Sequence, residues 1–261
     1  MIAWIDGRLV PGTAALSLEG PSFRCGMGLF ETVLFHQGRP RRLERHLERL
    51  AASLAALHLH RDLPAPSEAA RLVVEVAHAN GLAGETARVN LFCHQDRPQG
   101  EATLCITVTP YSIDPHAARA LAVYPHAHAS HLCAHKTMAN LHQRLAWDFA
   151  RRAGADDALL VDHHGNILEA ACAALLFSDG KGFYEPKTPW KLPSLTMEAA
   201  RRHLHVEEIP LTLADLDRLR HVYWLNSLGG IQPVVRVDDR TLDPDWETCR
   251  PLLRVLLGLD G

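Results

Sequence analysis

The stretch Cys133-Ala-His-Lys136-Thr-Met-Ala-Asn140-Leu-His-Gln-Arg144, running on to Arg152, decides how this chain is read. The sequence is rich in basic residues but poor in lysine. Of 27 Lys and Arg, the lysines are Lys136, Lys181, Lys187 and Lys191. The last three stand among Gly, Pro and Asp, where a solvated loop lysine is expected. Lys136 lies between a strand-like stretch, Leu121 to Tyr124 with a His-rich loop after it, and a helical one carried by Leu141, Leu145 and Phe149. A primary amine at the mouth of a helix, in a segment with few charges, loses its proton more readily on partial desolvation. A neutral amine is what Schiff-base chemistry needs. The competing reading is an ordinary surface lysine at a helix start.

On either side the pattern alternates strand and helix. Residues 2–10 read as two short strands around the turn dipeptide Asp6-Gly7. A glycine-bearing loop spans Gly20 to Gly28, and Leu29 to His36 reads as a strand turned at Gln37-Gly38. Leu43, Leu47, Leu50, Leu54 and Leu57 recur at helical spacing, and a second helix fits 67–79, stopped by Asn80-Gly81. Strands at 86–93 and 102–109 complete an N-terminal α/β domain over 1–112. Pro110 to Pro115 marks the break, with a linker at 113–120 and a second domain over 121–261. In that second domain strands are expected at 120–124, 157–161, 165–168, 175–177, 183–185, 206–210, 221–225 and 234–237. Helices are expected after Lys136 and at about 194–204, 212–219 and 245–258.

Composition narrows the class. A length of 261 residues with 47% hydrophobic content supports one large or two ordinary domains. Net charge is −3, and no basic block stands apart from acidic neighbours, which argues against nucleic acid as the main partner. Asp6 and Arg8 fall where a signal peptide is apolar, and no run approaches a membrane span. The scattered cysteines, without Cys-x-x-Cys, fit free thiols in a reducing cytoplasm. Clustered histidines (His126, His128, His131 and His135; His163 with His164) match no metal-ligand template, so no metal is expected. Gly-x-Ser-x-Gly is absent, which leaves a serine hydrolase unsupported.

Three further features carry chemistry. Leu192-Pro-Ser194-Leu-Thr196 opens a helix, where amides and dipole favour an anion. Ser227-Leu-Gly229-Gly230 follows a strand, and its glycines permit close backbone approach. Ordinary capping and turn chemistry explain either one taken alone. Glu169 follows an apolar strand and precedes Ala-Ala-Cys-Ala-Ala-Leu-Leu. It either meets a functional partner or points to water at the strand end.

Taken in order, these pieces resemble the class IV aminotransferases, the fold-type IV enzymes of pyridoxal 5′-phosphate. The resemblance runs through Gly26-Met-Gly28-Leu-Phe-Glu-Thr32, Arg45-His-Leu-Glu-Arg49-Leu50, Lys136 with Asn140, Ala155 to Asp162, Gly165-Asn-Ile-Leu-Glu169, Leu192 to Thr196, and Asn226-Ser-Leu-Gly-Gly-Ile-Gln-Pro233. It implies a mixed α/β chain of the α+β type, with a small N-terminal α/β domain, a larger C-terminal pseudo-barrel domain, the cofactor between them, and a homodimer. It implies that Lys136 holds the cofactor and shuttles the α-proton. Glu169 then faces the pyridine nitrogen, and Arg49 clamps the phosphate. The Leu195 and Thr196 amides and the Thr196 and Ser227 hydroxyls complete the cup. Two departures stand out. Glu169 to Phe177 is one residue longer than the family's usual spacing, with Leu175 in place of Asn. Cys93-His94-Gln95-Asp96-Arg97 replaces the usual Thr-Arg-Gly, so Asn90, His94 and Arg97 become the substrate-side candidates.

Within the family, Asn226-Ser-Leu followed by Gly-x-x-Pro-Val, with the compact length, looks most like 4-amino-4-deoxychorismate lyase, which eliminates pyruvate to leave 4-aminobenzoate. The alternative is an aminotransferase of branched-chain or D-amino-acid type. A second alternative, a cofactor-free relative that binds a metabolite, would not need Lys136, Glu169 and Arg49 together.

Overall fold

A computed structural model of the chain describes residues 1–13, 16–97 and 100–259. It divides into two units. Unit 1 comprises Met1–Ile113 and His135–Asn140; unit 2 comprises Asp114–Ala134 and the chain from Leu141 onward.

In unit 1, Asp6 and Gly7 take positive φ (42° and 92°) and fold β1 (Ile2–Ile5) back on β2 (Arg8–Pro11). The stretch whose glycines suggest a loop holds a short helix, α1 (Pro21–Cys25). Pro21 stands at its first turn, and Gly26 ends it in the left-handed conformation at φ 66°. The strands β3 (Gly28–His36) and β4 (Arg39–Pro40) follow, then helices α2 (Leu43–Ala56) and α3 (Pro66–Ala79), then strands β5 (Ala87–His94) and β6 (Thr103–Pro110). The six-stranded sheet runs β2-β1-β6-β5-β3-β4, antiparallel throughout. Its helix-covered face is the core: Leu29, Val33, Phe35, Val89, Leu91 and Ile106 pack against Leu43, Leu47, Leu50 and Leu54 of α2 and Leu72, Val73 and Val76 of α3. Each such side chain is worth roughly 1.5–3 kcal/mol when buried, which makes the leucine spacing of α2 the main determinant of its docking. Alternation then sends Phe30, Thr32, Asn90, Phe92 and His94 to the opposite face.

Unit 2 starts with β7 (Arg119–Val123), then α4 (Leu141–Arg152), β8 (Asp157–Val161), β9 (Ile167–Ala170), β10 (Ala174–Ser178), β11 (Phe183–Pro186), α5 (Leu195–Ala200), β12 (Val206–Ile209), β13 (His221–Asn226), β14 (Gly230–Val237), β15 (Arg240–Thr241) and α6 (Trp246–Leu257). A 3-10 turn over Leu213–Asp217 stands where a short helix was expected. The nine-stranded sheet runs β12-β11-β10-β13-β14-β7-β8-β9, with β15 on β14. Residues 171–173 alone join β9, at one edge, to β10, deep in the order. So short a link requires the sheet to curl back on itself, the pseudo-barrel that the resemblance implied. One face buries Leu121, Leu159, Phe177, Val222 and Val234; the other buries Ala122, Tyr124, Leu160 and Leu168 against Ala146 and Ala150 of α4.

Two elements depart from expectation. The apolar stripe Leu141 and Leu145, which suggested the helix after Lys136, is exposed, and the alanines of α4 face the core instead. Strand β14 starts at Gly230 rather than 234. Pro233 sits opposite Tyr223, and pairing with β7 begins only at Val234, so the missing amide costs no ladder bond on that side. Among the described residues no helix is long and apolar enough to cross a membrane.

Candidate active site

The segment that carries Lys136 is not the start of α4. Residues His135–Asn140 belong to unit 1, where they pair along β3. Phe30 N donates to Lys136 O at 2.9 Å, Met138 N to Gly28 O at 2.9 Å, and Thr137 bridges Leu29. Gly28 is required by this approach: a Cβ there would lie 2.7 Å from Met138 Sδ and 2.7 Å from Cys93 O. Alternation along the segment sends His135 to the helix side, its Nδ1 3.0 Å from Ser53 Oγ of α2. Lys136 goes to the open face, its Nζ 4.4 Å above the Phe30 ring. Phe30 in turn stacks on Phe92 at 6.2 Å. The half-buried amine thus rests on an aromatic floor.

Arg49 approaches the same strand from the other face. Its Nε and Nη2 donate to Glu31 Oε1 and Oε2 at 2.7 and 2.6 Å, while His46 Nδ1 lies 2.7 Å from Glu31 Oε2. Glu31 and His46 are each only 1% exposed. Burial alone pushes the Glu31 carboxyl up, but hydrogen bonds and charge from His46 and Arg49 together outweigh it and hold the group at about 2. Lys136 and Arg49 therefore meet β3 at successive residues, Phe30 and Glu31. Of the substrate-side candidates, Asn90 sits on the Phe30 face, its amide donating to Thr32 Oγ1 (2.9 Å) and Glu31 O (3.2 Å). His94 is buried on that face with Nδ1 unpartnered, and burial lowers its basicity. Arg97 is exposed beyond the strand end.

In unit 2, Glu169 lies on β9, and its Oε2 accepts from Leu192 N at 3.2 Å. That contact ties it to the segment leading into α5. There Ser194 Oγ caps the helix by accepting from Met197 N at 3.2 Å. Thr196 is 1% exposed, and its Oγ1 has no hydrogen-bond partner. Ser227 lies in the turn between β13 and β14, where Asn226 Oδ1 accepts from the amides of Leu228 (3.1 Å) and Gly229 (2.8 Å). The clustered histidines do other work: His128 stacks on His142 at 4.0 Å, and His126 meets Tyr124 edge-on. No group of three His, Cys, Asp or Glu among the described residues could hold a metal ion.

The profile of the family described as amino-transferase class IV matches residues 28–237, which include Lys136, Glu169, Arg49, Thr196 and Ser227. The chain belongs to the class IV aminotransferase family.

This class IV aminotransferase chain is similar to branched-chain-amino-acid aminotransferase-like protein 2 of Arabidopsis thaliana, with 22% identity over 93% of this chain and 47% of that protein. It spans about half the length of the curated relatives it matches. Among solved structures, it is similar to the branched-chain aminotransferase of the archaeon Thermoproteus uzoniensis with norvaline, at TM-score 0.87 and 22% identity over 99% of this chain and 95% of that one. It is also similar to the branched-chain amino acid aminotransferase of Escherichia coli, at TM-score 0.85 and 19% identity over 99% and 93%. A third similar structure is a branched-chain amino acid aminotransferase complexed with N-(5′-phosphopyridoxyl)-L-glutamate, at TM-score 0.87 and 21% identity over 98% and 92%. At such identities the likeness establishes the fold, that of fold-type IV. The relatives match the aminotransferase reading of the sequence; the lyase reading, placed first there, gains no support from them.

Sequence reasoning missed Glu31 and His46. Both stand inside quoted motifs, and both occupy core-facing positions, Glu31 between Leu29 and Val33 on β3 and His46 beside Leu47 on α2. A carboxylate at a core-facing strand position is the signal that could have found the pair.

Proposed function

We propose that this chain is a pyridoxal 5′-phosphate-dependent aminotransferase of branched-chain type. The match to the family over 28–237, with relatives named for branched-chain transamination, carries the reading. The unpartnered, buried Thr196 hydroxyl supports the fit of the cofactor. In an enclosed place a hydroxyl calls for an acceptor or donor of its own, and a phosphate oxygen supplies one.

The cofactor, when bound, draws electrons away from the α-carbon of the attached amino acid. The residues of this chain then divide the work. Lys136 Nζ would hold the cofactor at rest and, once displaced from it by the incoming amino group, would carry the α-proton. Its seat on Phe30, with Nζ 4.4 Å from the ring, holds the amine on the open face of unit 1. The Glu169 carboxylate would stabilise the protonated ring nitrogen, with the hydrogen bond from Leu192 N to Oε2 restraining its position. Arg49, aimed by its ion pair with Glu31, would meet the phosphate. The amides of Leu195 and Thr196 and the hydroxyls of Thr196 and Ser227 complete the cup. On the substrate side, His94 and Asn90 on the open face of unit 1, with Arg97 beyond, are the polar groups available to orient the amino acid. We also infer a homodimer, supported by the exposed apolar side chains Leu16, Leu18, Phe23 and Met27. Light scattering that gives a monomer mass removes that inference.

The reading is tested by supplying the purified protein with cofactor and measuring amino exchange between leucine, isoleucine or valine and 2-oxoglutarate, beside pyruvate release from 4-amino-4-deoxychorismate. Stoichiometric glutamate formation with the branched-chain donors is expected. Pyruvate and 4-aminobenzoate without net amino transfer would establish the lyase instead, and no cofactor uptake would leave the metabolite-binding alternative.

A further inference from the structure

Asp157 starts β8 with its side chain enclosed, 2% exposed. A carboxylate in that position must be satisfied from within the protein. Its Oδ1 accepts from Ala158 N at 2.8 Å. Its Oδ2 accepts twice, from Cys172 N at 3.2 Å and from Trp224 Nε1 at 2.7 Å. These last two bonds lead by separate routes to one turn.

Along the first route, Cys172 O accepts from Asn226 Nδ2 at 3.1 Å, and Asn226 Oδ1 in turn gathers the amides of Leu228 and Gly229. Along the second, the Trp224 indole lies directly beneath Gly229: a Cβ on that glycine would fall 2.8 Å from ring atom Cζ3. The indole is held on another side by Arg119, whose Cζ stacks 4.8 Å from the ring centroid and whose Nε donates to Gln232 Oε1 at 2.6 Å. One enclosed carboxylate therefore governs both the side chain that threads the turn and the ring on which the turn rests.

We infer that Asp157 is a positioning residue that fixes the backbone of the Asn226–Gly229 turn and, through it, the Ser227 hydroxyl presented to the cofactor phosphate. The second half of this statement rests on the role of Ser227 proposed above; the first half does not. The residue type matters. Two carboxylate oxygens serve three N–H donors, whereas an asparagine in the same place has one acceptor oxygen and turns an NH2 toward a donor.

The test uses the full chain and two readouts. Amide hydrogen exchange at Leu228 and Gly229, without cofactor, should be about tenfold faster in Asp157→Asn than in the wild type, since a hydrogen bond to Cys172 or Trp224, the residues that support the turn, is lost. The dissociation constant for pyridoxal 5′-phosphate should rise by about tenfold. In a double-mutant cycle, Asp157→Asn combined with Ser227→Ala should bind little worse than Ser227→Ala alone, because both changes act on one contact. Trp224→Phe cuts the indole route without touching the turn's own hydrogen bonds and carries the same readouts if Asp157→Asn does not fold. Wild-type exchange at Leu228 and Gly229 in the folded variants overturns the positioning inference. Faster exchange with an unchanged dissociation constant, or effects that multiply in the cycle, overturns the link to Ser227 and leaves the turn-fixing role standing.

Discussion

Arg49 and Glu31 form a two-pronged ion pair against β3, the guanidinium donating through Nε and Nη2 to the two oxygens of a carboxylate that is 1% exposed. His46 completes it from one turn earlier on α2. The pair sets the direction of the arginine expected to meet phosphate, so catalysis and stability share one cluster. Replacing Glu31 by Ala strips two buried cationic or polar groups of their partner. The expected cost is about 3–5 kcal/mol of stability, read as a lowered midpoint in chemical denaturation, with weaker cofactor retention beside it.

The same cluster predicts an acid transition. The Glu31 carboxyl is held at about 2, below its ordinary 4.5. A depressed carboxylate contributes stability that is complete above its ordinary range and is lost as pH falls through the folded-state value. Denaturation midpoints of the wild type should therefore decline from about pH 5 down to about pH 2, and those of Glu31→Gln should decline less over the same span. Parallel curves for the two proteins would show that the pair contributes no proton linkage.

Thr196→Val separates folding from binding. The Thr196 hydroxyl is buried without a partner when no cofactor is present, so an isosteric apolar side chain should leave the stability of the cofactor-free protein unchanged or raise it by about 1 kcal/mol. The dissociation constant for pyridoxal 5′-phosphate should rise about tenfold. A loss of apo stability with unchanged binding would place the hydroxyl in the folding of α5 and not in the cup.

Glu169→Ala addresses the chemistry. Loss of a residue that governs a proton in the reaction commonly costs about 100-fold or more in rate, and turnover should fall by that order while cofactor binding weakens far less. Unchanged turnover would mean that another carboxylate faces the ring.

The fold was legible where local periodicity and burial agree. The leucines of α2, the alternation of β3 and the Asn80-Gly81 stop of α3 all lie where the spacing put them. It was not legible where a pattern faced the other way. Leu141 and Leu145 mimic the core stripe of α4 yet point outward, because two alanines allow the closer approach to the sheet. Lys136 looked like a helix-start lysine because nothing local to it records the edge of β3, more than 100 positions earlier, with which its neighbours pair. The linkage of Glu31 to Arg49 depends on how α2 docks on β3, and that of Asp157 to Trp224 joins strands that are not neighbours in the sheet order. Only an acidic residue in apolar company hinted at either.

The most direct test is the absorption spectrum of the purified protein reconstituted with pyridoxal 5′-phosphate, taken for the wild type and for Lys136→Ala. A visible band in the wild type that is removed by borohydride, with mass added at Lys136, and that is absent from the folded alanine variant is the predicted result. An identical band in both proteins, or covalent mass at Lys181, Lys187 or Lys191 instead, would contradict it.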